Sequence, residues 1–275
     1  MKSNRLVLLF SMGLLLAVGG ISLGQRFYRR QVPDPTRVED RGGVPLWDVD
    51  KEFKHDVFTF VRIKYTSYVD RGDYGKWSTD YLDADVNFSF RLQELTSLEV
   101  DPTGVVLELT DERLFDYPFI YLIEPGHMIL ADEEVVALRR YLNNGGFLMV
   151  DDFWGEEEWY QFYTQIKRVF PDREPEELPL SHEIFHLVYD LDIKPQIPSI
   201  GFMQTGRTWE RWDAQEPHYR AIFDDQGRMM ALICHNTDLG DGWEREGVDP
   251  TYFREFSEKY AYPLGINIVV YAMTH

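Results

Sequence analysis

Two aspartates stand side by side where an apolar run ends. Residues 147–150 (FLMV) lead directly into Asp151-Asp152, and Phe153, Trp154 and Gly155 follow. Adjacent carboxylates leaving a buried strand suit two kinds of chemistry. Together they can ligate a cation, or one of them, its pKa raised by burial, can act as a base. The plain alternative is that one aspartate caps the next helix while the other sits in solvent. A denser set of donors follows the apolar run ending at Cys234. Within residues 235–244 lie His235, Asn236, Asp238, Asp241, Trp243 and Glu244, with two glycines. Its oxygens suit a divalent cation and its indole a stacked polar ligand, although the terminal Glu of a full calcium loop is missing. The plain role of such a stretch is a loop bonded to itself through its Asx side chains. Residues 78–87 form a third acidic stretch, with Asp80 and Asp83 as candidates for the same crevice, but their spacing fits no metal template. If the imidazole of His235 met Asp151 or Asp152, the group would have the makings of a hydrolase acting on a carbohydrate or peptide.

His182-Glu183-Ile184-Phe185-His186 matches H-E-x-x-H. On a helix the two histidines share a face and bind zinc, with Glu183 as the base of a peptidase. The context argues against a helix, because Pro179 precedes the motif and Leu187-Val188-Tyr189 favours an extended chain. No second motif supplies a third ligand. Cys234, the only cysteine, lies inside an apolar run, where a thiol is normally inert, and it has no partner for an intrachain disulfide. No G-x-S-x-G elbow, Walker loop or G-x-G-x-x-G occurs.

These residues need a scaffold, and the pattern of the chain supplies one. Residues 57–65 (VFTFVRIKY), 105–109, 119–123 and 147–150 read as strands. Val135, Leu138 and Leu142 recur with helical spacing after Asp132, which can cap the helix, and Asn143-Asn144-Gly145-Gly146 ends it. Trp159, Phe162, Tyr163, Ile166, Val169 and Phe170 make the clearest helical stripe. It begins with Glu156 to Glu158, where negative charge suits the helix dipole, and Pro171 stops it. Asp224-Asp225-Gln226-Gly227 joins two strands as a hairpin. Asp249-Pro250 opens a helix, and Pro263 is expected to restart a last apolar one. Strands alternating with helices imply an open, mostly parallel sheet flanked by helices, in which ligands bind beyond the carboxyl ends of the strands.

With 44% hydrophobic residues the chain can build a core, and its net charge of −19 disfavours nucleic acid as a partner. The first thirty residues run against this balance, with Lys2, Arg5, Arg26, Arg29 and Arg30 and no acid. Between them residues 6–24 carry no charge and span roughly 28 Å as a helix, about the thickness of a bilayer core. This layout is that of a signal peptide with cleavage after Gly24, or of a retained hydrophobic helix anchoring the protein to the membrane. The expected organisation is a leader or anchor over residues 1–24, a linker over 25–56 and a single α/β domain over 57–275. The expected location is exported, periplasmic or membrane-anchored.

From residue 58 to 275 the chain resembles the bacterial domain-of-unknown-function family 4159, through the segments DYPFIYLIEPG, YLNNGGFLMVDDFWG, RVFPDREP, HNTDLGDGWE and YPLGINIVVYAMTH. That family looks like a branch of the glutamine-amidotransferase-like superfamily, which implies a flavodoxin-like, class I amidotransferase-like sheet. In true amidotransferases a cysteine nucleophile sits on an elbow after a central strand; the comparable position here holds Asp151-Asp152, so amidotransferase chemistry is not expected. Relatives usually carry proline where this chain has Glu183, which weakens the zinc reading. The expectation is a cell-envelope protein holding a polar small molecule or an envelope protein partner in an acidic, aromatic crevice. Asp151, Asp152 and His235 are its candidate reacting groups, and Trp154, Asn236, Asp238, Asp241, Trp243, Asp80 and Asp83 its candidate binding groups. The cofactor is left open, with a divalent cation as the candidate that carboxylates suit.

Overall fold

The parallel strands are nearly continuous apolar runs because helices bury both of their faces. In the computed structural model, which describes residues 32–50, 52, 56–70 and 75–275, nine strands are seen. They are β1 (Val61–Lys64), β2 (Thr66–Ser67), β3 (Val105–Glu108), β4 (Phe119–Ile123), β5 (Met128–Ile129), β6 (Phe147–Asp151), β7 (Glu176–Glu177), β8 (His218–Phe223) and β9 (Met229–His235). Seven of them form a sheet ordered β3-β1-β4-β6-β9-β8-β7. The pairs from β3 through β9 are parallel, while β8 and β7 add an antiparallel edge. Strands β2 and β5 pair separately.

Five helices matter for the site: α1 (Asp83–Leu95), α2 (Asp132–Asn143), α3 (Gly155–Val169), α4 (Leu239–Glu244) and α5 (Tyr262–Thr274). Alternation along each strand sorts the core into two layers. Phe119, Tyr121, Phe147, Met149, Leu232 and Cys234 face α1 and α5, where they meet Phe88, Leu92, Leu264 and Ile268. Ile120, Leu122, Leu148, Val150 and Ile233 face α2 and α3, where they meet Leu138, Leu142, Phe162 and Ile166.

Local signals explain most boundaries. Ala131 occupies the cap position of α2, one residue ahead of the expected Asp132, and Glu134 reaches back to accept the Ala131 N–H at 2.7 Å. Asp249 caps the next helical start through the N–H groups of Thr251 and Tyr252. Pro263 does not restart a helix. The chain winds without a break from Pro250 to Thr274, and its turns over Phe253–Ala261 have π geometry. A π segment changes which carbonyls need donors, so a proline that lacks an N–H is accommodated just beyond it.

The acidic stretch at 78–87 is not one loop, since Asp83 already begins α1. Part of the stretch read as a linker packs onto the domain. Arg41 is fully buried and donates to the Pro102 carbonyl at 2.6 Å, and the Trp47 indole donates to that of Val100 at 2.8 Å. Residues 6–24 lie outside the described residues. No helix among the described residues is long and apolar enough to cross a membrane.

A charged residue interrupts β1. Arg62 is fully buried and donates Nε to both oxygens of Asp85 on α1, at 3.1 and 3.0 Å. Its Nη1 donates to the carbonyls of Trp77 and Thr79, at 3.0 and 2.9 Å. Removing one partner of a buried pair strands the other charge, at about 3–5 kcal/mol. Asp85→Ala is therefore expected to cost that much in urea unfolding, and Asp85→Leu combined with Arg62→Met markedly less. A cost below about 1 kcal/mol for the single change would show that the pair does not hold α1 to the sheet.

Candidate functional site

The strand exits are tied to one another before any ligand is considered. The Tyr65 hydroxyl, just past β1, donates to the carbonyls of Ile123 and Glu124 at the end of β4. The Asp152 N–H donates to the Thr237 carbonyl and the Asn236 N–H to that of Phe153, so the chains leaving β6 and β9 stay paired. Four described residues other than glycine have left-handed backbone: Asp80 (φ 59°), Glu124 (50°), Asp152 (54°) and Asn236 (60°). Glu124, Asp152 and Asn236 stand at the ends of β4, β6 and β9, and Asp80 lies in the turn before α1. Such conformations cost about 1–2 kcal/mol each and persist where surrounding contacts dictate them.

What this geometry assembles is a set of carboxyl groups. An oxygen from each of Asp80, Asp152 and Asp238 lies within 4.8 Å of the other two, and Asp80, Asp241 and Glu244 form a second such group. Asp151 joins them from the floor. Its Oδ2 accepts the Tyr121 hydroxyl and the Gly240 N–H, both at 3.0 Å, while its Oδ1 is buried without a hydrogen-bond partner. Asp80 Oδ2 is likewise buried and unpartnered. Gly240 has no side chain because none fits: a Cβ there would stand 2.6 Å from Asp80 Oδ2 and 2.9 Å from the Tyr121 hydroxyl.

Basic groups compensate only the margins. Lys76 pairs with Glu124, Arg211 with Glu158, and Arg245 with Asp241 and Glu244. Among the described residues no lysine or arginine makes an ion pair with Asp80, Asp151, Asp152 or Asp238. Burial, relieved only in part by the N–H groups of Leu239 and Gly240 and by Tyr121, pushes Asp151 up to about 7. Burial and then Arg245, acting in opposite directions, leave Glu244 at about 7. Asp152 and Asp238 are raised well above the usual range by burial first; Glu124 then adds to the effect at Asp152, and Asp152 adds to it at Asp238.

Several expected members stand elsewhere. His235 shares the sheet face of Ile233, away from Asp151. Its Nε2 bonds the Gly155 carbonyl and its Nδ1 meets the Arg220 guanidinium, both at 3.1 Å, with the rings of Phe153 and Trp159 against it. Burial holds it neutral, with a pKa lowered to about 3. The Asp–His pairing expected from sequence is not formed. Trp243 is core: its ring lies 4.4 Å from that of Phe88, and its indole N–H donates to Ala261. Asn236 is a clamp, accepting from the Gly155 N–H and donating to the Glu216 carbonyl. Asp83 is exposed at the start of α1.

The H-E-x-x-H segment forms a short 3₁₀ turn over Glu183–Phe185. His182 accepts the Ile184 N–H, and His186 bonds Leu180 and Asp190, so the two imidazoles do not form a zinc site. Cys234 is buried, and burial raises its thiol pKa well above the ordinary value. Asp80, Asp151, Asp152, Asp238 and Asp241 do converge, with Trp154 donating its indole N–H to Asp152 Oδ1 at 2.8 Å.

Sequence reasoning missed Arg62, Tyr121, Glu124, Glu158 and Gly240. For Arg62 the signal was present, as one charge inside an apolar strand is seldom accidental. Carboxyl groups whose pKa is raised by folding stabilise the folded state as pH falls below their folded pKa toward the ordinary carboxylate value, and that stability is lost as pH rises back through the folded pKa. In chelator-treated buffer, unfolding free energy is therefore expected to rise as pH falls from about 7, where Asp151 and Glu244 take up protons in the folded state, toward the ordinary carboxylate range near about 4, by up to about 1.4 kcal/mol per unit for each such proton. Asp151→Asn should flatten the profile. An equal slope in the variant would place the titration elsewhere on this acidic surface.

No curated protein sequence matches this chain. The model of the family described as "Domain of unknown function (DUF4159)" matches residues 59–273, which include every strand and every carboxylate of the crevice, and the chain belongs to that family.

Proposed function

We propose that the protein is a binding protein of the cell envelope whose crevice holds a ligand that brings positive charge to Asp80, Asp151, Asp152 and Asp238. One observation carries the reading: oxygens of Asp80, Asp152 and Asp238 lie within 4.8 Å of one another, with Asp151 at the adjoining end of β6, and no basic side chain is paired to any of the four among the described residues. Buried carboxylates are costly unless they are paired, protonated or bound to a cation. Here the protein's own bases are spent on Glu124, Glu158, Asp241 and Glu244.

The fold supports the reading in a general way. Counted in chain order, the five parallel strands run 2-1-3-4-5, the order of flavodoxin-like sheets, whose ligands sit where the strand order reverses. Kinship with the amidotransferase-like superfamily is part of this proposal, without its chemistry, since the sole cysteine is buried. The envelope location rests on the basic start and uncharged run at residues 2–24.

A hydrolase built on Asp151, Asp152 and His235 has less support, because His235 turns to the other sheet face. Melts of the full chain across polyamines, amino sugars and divalent ions are expected to show stabilisation by at least one of them. Asp152→Asn, which removes one of the converging charges and tolerates the left-handed backbone, should remain folded and weaken that response. No shift with any solute, or an undiminished shift in the variant, overturns the reading.

A further inference from the structure

Three separate elements deliver Asp80, Asp152 and Asp238: the turn before α1, the exit of β6, and the cap of α4, where Asp238 accepts the Asp241 N–H. Their oxygens, within 4.8 Å of one another, have the spacing of ligands around one centre, since oxygens bound at about 2.1–2.5 Å lie at most about 5 Å apart. The second group is less suited to an ion, because Arg245 already bonds Asp241 at 3.1 Å and Glu244 at 2.8 Å.

A separate observation points the same way. Asp151 is fully buried, and although Tyr121 and Gly240 fix one of its oxygens, the other has no donor. The unpartnered Oδ2 of Asp80 lies beside this group, across the space that Gly240 leaves open. Native proteins seldom bury such oxygens without a partner, and one that is missing from the protein itself implies a water or an ion. The donor set is all oxygen. Among the described residues neither group of carboxylates includes a histidine or a cysteine, so the site suits a hard cation of the magnesium, calcium or manganese kind over zinc or copper.

We propose that Asp80, Asp152 and Asp238 bind one hard divalent cation, with Asp151 adding a fourth negative charge beside it. This rests on the crevice being the binding site and names the source of the positive charge.

Trp154 provides the test. Its indole bonds Asp152 directly, so a terbium ion held by Asp152 is excited through that ring. The full chain, stripped by chelator and dialysed, is titrated with Tb³⁺ while tryptophan is excited. Saturable one-to-one emission is expected, displaced by Ca²⁺ or Mn²⁺ and strongly reduced by Trp154→Phe. Asp80→Asn, Asp152→Asn and Asp238→Asn should each weaken affinity at least tenfold. Asparagine tolerates the left-handed backbone at the first two positions and keeps the helix cap at the third. Arg245→Gln should not weaken it. Absent or non-saturating emission from the wild-type chain overturns the proposal, as does emission unchanged in all three variants, which would mark ions on an acidic surface. If Tb³⁺ fails while an amine still stabilises the wild type and does so less in Asp152→Asn, the cation site falls and the wider reading stands.

Discussion

A single guanidinium on β1 sets the geometry on which the crevice depends. Arg62 reaches α1 through Asp85 and reaches the turn before α1 through the carbonyls of Trp77 and Thr79. It therefore fixes the segment from which Asp80 projects. The same group lies 5.1 Å from the ring centre of Tyr121, whose hydroxyl holds Asp151. One buried cation thus positions acids contributed by two different elements. Burial acts to lower its pKa, but the charge and hydrogen bonds of Asp85 outweigh that, and the net displacement is upward. Lysine could not replace it, because a point charge cannot serve a carboxylate and two carbonyls from one plane.

The crevice runs against the economy of the rest of the molecule. Elsewhere burial is mostly apolar, in two main layers on either face of the sheet, and the buried charges of Arg41 and Arg62 are matched by carbonyls and by Asp85. At the strand ends the chain accepts left-handed backbone at Asp80, Glu124, Asp152 and Asn236, and carboxyl groups that solvent no longer stabilises. Both features cost free energy, and both persist because the surroundings over-determine them. Paired exits of β6 and β9, the Tyr65 bridge to β4 and the Asn236 clamp on Gly155 leave the acids little freedom to move apart. A local surplus of cost in an otherwise consistent fold is what a functional site looks like.

How much of this the residues announced follows from which signals are local. Strand exits and helical stripes are read from short windows, so β4, β6, α2 and α3 were legible, and with them the polar residues beyond β6 and β9. Sidedness was harder. His235 and Asp151 both end buried strands, but a period of two puts His235 with Ile233 and Asp151 with Met149, on opposite faces. Applying that alternation would have separated them. Helix α1 was hidden because Asp83, Asp85 and Asn87 alternate with Ala84 and Val86 in its first turns, and Asp85, which breaks the apolar stripe, is buried only because Arg62 awaits it. That is a tertiary fact with no local trace. The H-E-x-x-H match failed for the opposite reason: the motif is local, but the helix that would give it meaning is absent.

The distribution of basic side chains then separates structural pairing from the space left for a ligand. Lys76, Arg211 and Arg245 neutralise Glu124, Glu158, Asp241 and Glu244 around the rim, and Arg62 neutralises Asp85 behind it. These pairs brace the walls. Among the described residues the centre is left without such a pair. Repulsion among unpaired acids would open a flexible loop, but here Asp151, Asp152 and Asp238 stand at the ends of strands or a helix, and Asp80 lies in a turn whose carbonyl at Thr79 is held by Arg62. The unfavourable energy is therefore held in place until something positive arrives, and a ligand that supplies the charge meets carboxylates already set at its binding distances, with little ordering left to do.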